Sequence, residues 1–287
     1  MRPGVRSRAS RGLLVVPLLL VALGGCTNEP EEVVRTSGAL TDGFEIEPGS
    51  GLVGAVFPLG YGAGHQAVLR VDGDLLDVFD GFVRQAEELG YALESGWQDR
   101  PEGQWCSDPD DQNTDDDPAE GPFQIECRAF TVAPDENSAG LRGLAEPDGQ
   151  GYILLVVQSL SDTSEAPPLA SDGSVASVTD EQLAPDLTPS TDDPPVYVVE
   201  GSELVSQPLA AGCATGGYLA VLAVRDELLP VMRGYLEQFD DAGFTGEGLV
   251  GTEDEPRIVA SAAGGGSLTA LGVAGDPSYV LIERCND

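Results

Sequence analysis

The densest chemistry in this 287-residue chain is a run of oxygen ligands: Asp108, Asp110, Asp111, Asn113, Asp115, Asp116, Asp117 and Glu120 fall within 13 residues. Hard cations such as Ca2+ bind oxygen donors set at short alternating intervals, and Asp111, Asn113 and Asp115 stand at the first three ligand spacings of a calcium loop, with Asp117 completing the candidate set. The pattern then departs from an EF-hand, because Asp116 occupies the place of the required glycine and no glutamate closes the loop. Ca2+ is therefore the one cofactor candidate, set against a solvated acidic loop.

Other reactive types are sparse. His65 is the single histidine, which removes multi-histidine metal sites and leaves one imidazole base. Gly62 and Gly64 match part of a dinucleotide fingerprint but lead into a strand, whereas pyrophosphate binding needs a helix N-terminus. No G-x-S-x-G nucleophile elbow occurs. With 49 acids, no carboxylate pair stands out as a glycosidase pair. Trp97 and Trp105 bracket Arg100 and could anchor a partner, although loop packing is the simpler role. Catalysis is not the favoured reading, and a hydrolase comes last among the alternatives.

Five cysteines remain to be explained. Residues 1–25 carry Arg2, Arg6, Arg8 and Arg11, then the apolar run from Leu13 to Leu23, then small residues, which is the layout of a signal peptide. The run is roughly half the 20 or so apolar residues that a bilayer span needs. Leu23, Gly24, Gly25 and Cys26 resemble the lipobox of bacterial lipoproteins. The resemblance implies a diacylglyceryl group on the Cys26 thiol, cleavage just before it, and a chain held at the extracytoplasmic face of the cell membrane.

Four cysteines then remain in an oxidising compartment, enough for two disulfides and three alternative pairings. No C-x-x-C spacing for thiolate metal binding is present. Removing the signal peptide takes away four Arg and no acid, moving the formal charge from −35 to −39. Nucleic acid is excluded as a partner by that field.

The elements that would position these groups come from an internal duplication. Residues 67–91 align without a gap on 220–244, with ten of 25 positions identical, among them Gly81 with Gly234 and Gln85 with Gln238. Ala67 to Val71 and Ala220 to Val224 read as strands. A helix follows each, capped at Asp74 in the first copy and stopped by Gly90 or Gly243. The mid-helix glycines imply close packing on a sheet. Apolar runs from Phe123 to Val132 and Tyr152 to Leu160, with a weaker one near Trp97, supply later strands; Arg257 to Ala262, Leu268 to Val273 and Tyr279 to Cys285 do so in the second copy.

The expected fold is α+β: two tandem β-α-β-β-β units, each with one helix on an antiparallel sheet, in an order similar to cystatin-like folds. Cys106 and Cys127 bracket an insertion found in the first copy alone, while Cys213 and Cys285 occur together in the second. The duplication therefore favours Cys106–Cys127 and Cys213–Cys285 pairing.

The domain organisation follows: 1–25 signal peptide, 26–43 flexible tether, 44–160 first repeat with acidic insertion 98–122, 161–195 disordered acidic linker, 196–287 second repeat. The tether from Thr27 to Asp42 would hold the first repeat up to roughly 50 Å from the membrane. The functional expectation is a membrane-anchored extracytoplasmic binding or interaction module, its partners being the membrane through Cys26 and an envelope protein or small ligand. An accessory or sensor subunit of an envelope complex and a calcium-binding surface protein are the alternatives.

Overall fold

A computed structural model describes residues 34–93, 106–107, 125–132, 137–145, 151–159, 166–170, 172–185, 187, 194–211, 213, 216–263 and 265–286. The signal-peptide residues, Cys26, Trp97, Trp105 and the candidate calcium ligands Asp111, Asn113, Asp115 and Asp117 lie outside these.

The N-terminal half runs β1 (Val34–Arg35), β2 (Ser50–Pro58), β3 (Ala63–Val71), α1 (Leu75–Glu88), β4 (Ala92–Leu93), β5 (Cys106–Ser107), β6 (Ile125–Val132), β7 (Asn137–Ala145) and β8 (Gly151–Ser159). A ribbon follows, β9 (Val178–Gln182) with β10 (Tyr197–Val199). The C-terminal half runs β11 (Ser202–Leu204), β12 (Leu209–Ala210), β13 (Gly217–Val224), α2 (Leu228–Asp241), β14 (Phe244–Gly251), β15 (Pro256–Ala262), β16 (Ser267–Val273) and β17 (Ser278–Cys285).

The expected α+β class of two β-α-β-β-β units is not what the chain forms. It is mostly β: an eight-stranded and a seven-stranded antiparallel sheet accompany just two helices among the described residues. Nor does the cystatin-like order hold, because further strands precede each helix. Three of the missed strands share a cause. β2, β7 and β14 are SGLVGAVFP, NSAGLRGLA and FTGEGLVG, too glycine-rich for a clear hydrophobic period, and they owe their conformation to hydrogen bonding with neighbours. The strand order β2-β3-β8-β7-β6-β4 in the first sheet has its counterpart in β11-β13-β17-β16-β15-β14 in the second.

The two sheets pack back to back, and side-chain alternation along single strands fixes the layers. On β3, Ala67, Leu69 and Val71 face α1, while Val68 joins Val53, Phe57 and Tyr152 against the second sheet. On β13, Ala220, Leu222 and Val224 face α2, and Leu219, Val221 and Ala223 meet the first sheet. A strand covered on both faces reads as a continuous apolar run, which is why β13 is GYLAVLAV and buried throughout. The order of layers is helix, sheet, sheet, helix. Gly54, at φ +73°, brings β2 close to this seam; a Cβ there would lie 2.7 Å from Val221 Cγ1.

Two expectations about connecting segments are also corrected. Val34 and Arg35, placed in the flexible tether, pair with Val53 and Leu52, and Ala39 bridges Glu45. The segment 161–195, expected to be disordered, contributes the β9 strand and packs Leu183 and Ala184 fully into the core around α2. Isolated apolar residues amid Ser, Asp and Pro give no periodic signal, yet one or two find a seat when a neighbouring helix offers it.

The helix ends follow their local chemistry. Asp74 accepts from the Leu76 and Asp77 N–H groups, at 2.9 and 3.3 Å. At the other end Gly90 takes φ +90°, and Tyr91 N–H donates to Ala86 carbonyl at 2.9 Å, a Schellman closure. Tyr91 then folds under against Phe44, ring centroids 5.9 Å apart.

Candidate functional site

Three places gather polar chemistry: the seam between the sheets, the core under α2, and the outer faces of the helices.

At the seam, half-buried Glu283 on β17 shares a face with buried Leu281. Burial pushes its carboxyl above the ordinary range, and the Arg142 guanidinium from the other half pulls it back in part. Arg257 makes a second tie between the halves, donating from Nη1 to the Leu59 carbonyl at 2.9 Å and the Gly62 carbonyl at 3.4 Å. A cavity of about 30 Å³ lies beside Arg142, lined by Val68, Tyr152, Leu154, Leu209 and Leu219. It has room for one or two waters, an order of magnitude less than the several hundred Å³ of a metabolite pocket.

Under α2, Arg284 is 1% exposed. Its Nη1 donates to the Pro194 carbonyl at 2.7 Å, and its guanidinium carbon lies 5.7 Å from the Phe244 ring centroid. Burial drives the neighbouring Tyr218 phenol far above its usual value, with Arg284 opposing the shift. The Tyr235 phenol is pushed up to about 12 by burial, against the opposing bonds from Ser202 and the Val199 N–H. A buried guanidinium stabilised by a carbonyl and an aromatic face holds chain segments together, while burial keeps both phenols protonated at neutral pH.

The outer helix faces carry a repeated device. Glu45 N–H donates to Gln85 Oε1 at 2.8 Å, and Gln85 Nε2 donates to the Glu45 carbonyl at 3.1 Å. Gln238 brackets Tyr197 in the same way. One turn before each glutamine stands a glycine that lets an extended segment cross the helix: a Cβ on Gly81 would meet Glu47 Cδ at 2.6 Å, and one on Gly234 the Ala176 carbonyl oxygen at 2.7 Å. The expectation that these glycines pack on the sheet is therefore corrected; they face the opposite way, toward the crossing segment.

In the C-terminal half that crossing is extended into a strap. Leu169 N–H donates to Leu249 carbonyl at 2.8 Å, Pro168 bridges Val250, and Ala176 N–H donates to Pro230 carbonyl at 3.0 Å. Arg233 donates to the Ala170 and Ser174 carbonyls at 3.2 and 3.3 Å. Leu169, Ala176 and Leu229 are each partly buried against the core under α2.

Among the residues singled out from sequence, Cys213 and Cys285 are disulfide-bonded with Cα atoms 5.5 Å apart, joining the approach to β13 to the last strand. Cys106 lies directly opposite Cys127 in the β5–β6 register. His65 Nδ1 is 3.2 Å from Thr41 Oγ1, and Gly62 and Gly64 belong to the β2–β3 hairpin. Cys213, Cys285 and Glu283 form a cluster of metal-ligand types, but both sulfurs are consumed by the disulfide.

The Gln85 and Gln238 clamp escaped the sequence reading although both residues were visible as an identical pair. Arg142 and Glu283 carried no local signal, because their meeting depends on how the sheets stack. No protein-family model and no curated protein matches this chain.

Proposed function

We propose that the chain is an extracytoplasmic binding module, lipid-anchored through Cys26, that engages an envelope protein through its outer helix layers. The observation that carries the reading is the back-to-back packing of the two sheets. Each sheet has one face on its helix and the other on its partner sheet, so the broad surfaces turned outward belong to α1, α2 and the segments crossing them. The small seam cavity favours recognition on the exterior over enclosure of a small ligand.

The first sheet also shortens the leash. Val34 is already paired in β1, eight residues after Cys26, so the connection spans at most about 29 Å. That reach favours a partner at the membrane over display far beyond it. Among the described residues no helix is long and apolar enough to cross a membrane, and attachment in this reading rests on Cys26 alone.

The test pairs fractionation with capture. Cys26→Ala is expected to leave the detergent phase, and in-cell cross-linking of the tagged wild-type chain is expected to recover a reproducible envelope partner. Unchanged detergent partitioning of Cys26→Ala sinks the anchor, and recovery no better than a lipid-tethered control sinks the interaction module.

A further inference from the structure

Among the described residues, Tyr61 is the most exposed of the large apolar side chains, at 66%. It stands at the tip of the β2–β3 hairpin, in a loop from Leu59 to Gly64 that carries no charged residue. The rest of this loop is held from inside. Leu59 is buried and its N–H donates to the Gly64 carbonyl at 3.1 Å, Arg257 donates to the Leu59 and Gly62 carbonyls, and a Cβ on Gly60 would come within 3.1 Å of Val259 Cγ2. Tyr61 thus projects from a loop whose backbone is tied to the second sheet, and seating its ring on a partner surface costs little further ordering.

The direction of the chain puts this tip on the anchored side. β1 pairs antiparallel with β2 through Val34 opposite Val53 and Arg35 opposite Leu52, so the N-terminal end of β1 points toward the hairpin tip. Eight residues lead from Cys26 to Val34, and eight lead from Val53 to Tyr61. The two arms leave one cross-strand pair and share a maximal reach of about 29 Å, so the lipid-bearing thiol and the tyrosine can stand at one level. At its other end β3 leads into Asp72, Asp74 and Asp77, all exposed, which anionic headgroups repel.

We propose that the β2–β3 hairpin tip is a second membrane contact, with the Tyr61 ring seated at the headgroup layer of the bilayer that holds the Cys26 lipid. A tyrosine suits that layer, because the body of the ring meets acyl chains while its hydroxyl stays with water and headgroups. One side chain is a weak membrane ligand by itself, and tethering at Cys26 supplies the effective concentration that makes the contact persist. The inference rests on the lipid-anchor reading and adds an orientation to it: the hairpin end faces the bilayer and the Asp72 end faces away.

The experiment uses the lipidated full mature chain in phosphatidylcholine vesicles made with or without brominated acyl chains, which quench tryptophan emission on contact. The chain's two tryptophans are first replaced, as Trp97→Phe/Trp105→Phe. In that background Tyr61→Trp is expected to lose about half or more of its emission in brominated vesicles, and Asp77→Trp, at the opposite end, to keep its emission. Matching thermal unfolding of the variants establishes that they are folded. Unquenched emission from Tyr61→Trp, or equal quenching in both variants, would overturn the membrane contact. Vesicle flotation separates the two readings. A wild-type chain that fails to float overturns the anchor and the tip contact with it, whereas a floating chain with no quenching at position 61 overturns the tip contact and leaves the anchor standing.

Discussion

Gln238 brackets the main chain of Tyr197, accepting from its N–H through Oε1 at 2.9 Å and donating to its carbonyl through Nε2 at 3.0 Å. An amide is the side chain that can serve both backbone groups of one extended residue, having a donor and an acceptor on the same fork. The repetition of the clamp by Gln85 on Glu45 makes it a property of the duplicated design.

Gln238→Ala removes both bonds at a half-buried site, and about 2 kcal/mol of stability should be lost. Gln85→Ala should cost about half as much, since Glu45 is exposed and water replaces the lost partner. Gln238→Glu keeps the shape but loses the donor to the Tyr197 carbonyl, and it should be no better than alanine. Urea unfolding of the three variants checks the order; a Gln85 variant that loses more than its Gln238 counterpart contradicts it.

The two helix glycines should respond in opposite directions to the same substitution. Alanine in a helix interior gains about 1 kcal/mol over glycine. At Gly81 the new methyl meets the far end of the flexible Glu47 side chain, which can swing aside, so Gly81→Ala should be neutral or stabilising. At Gly234 it meets the Ala176 carbonyl and buried Val199 Cγ1 at 2.7 and 2.8 Å, and overpacking there costs about 1–3 kcal/mol, exceeding the gain. Gly234→Ala should lower the melting temperature and expose the strap to limited proteolysis. Equal shifts for both variants would contradict the crossing-segment account.

Glu283 gives a pH signature. Its folded carboxyl titrates above the ordinary value of 4.5, burial outweighing Arg142, so folding disfavours the carboxylate. The molecule is free of this penalty below the unfolded value and loses stability as pH rises through the raised folded one. Glu283→Gln should therefore be more stable than the wild type at about pH 7, and the two should converge at about pH 3, where the acid is neutral in both states. A variant less stable than the wild type at neutral pH would mean that the attraction to Arg142 outweighs burial.

Local features were legible from the residues. Asp74 as a cap, Gly90 and Gly243 as stops, and the helical period of the residues between them are short-range chemistry, and α1 and α2 occupy those positions. The Cys213–Cys285 bond was readable because the two cysteines occur together in one copy of the duplication. The fold class was not. β7 has four apolar residues scattered among Gly, Ser, Asn and Arg, and only its pairing with β6 and β8 makes it a strand.

By itself the sequence determined the duplication, the acidity and the cysteine arithmetic, which depend on residue types and their order, and the helices with their ends, which depend on spacings within a few helical turns. The tertiary structure decided which faces meet. The stacking of two sheets, the meeting of Arg142 with Glu283, the seating of Leu183 in the core and the exposure of Leu76 where Leu229 is half-buried depend on contacts between distant segments. A side chain's local pattern states that it can be buried; which neighbour buries it is settled only when the sheets and helices compete for the same apolar surface.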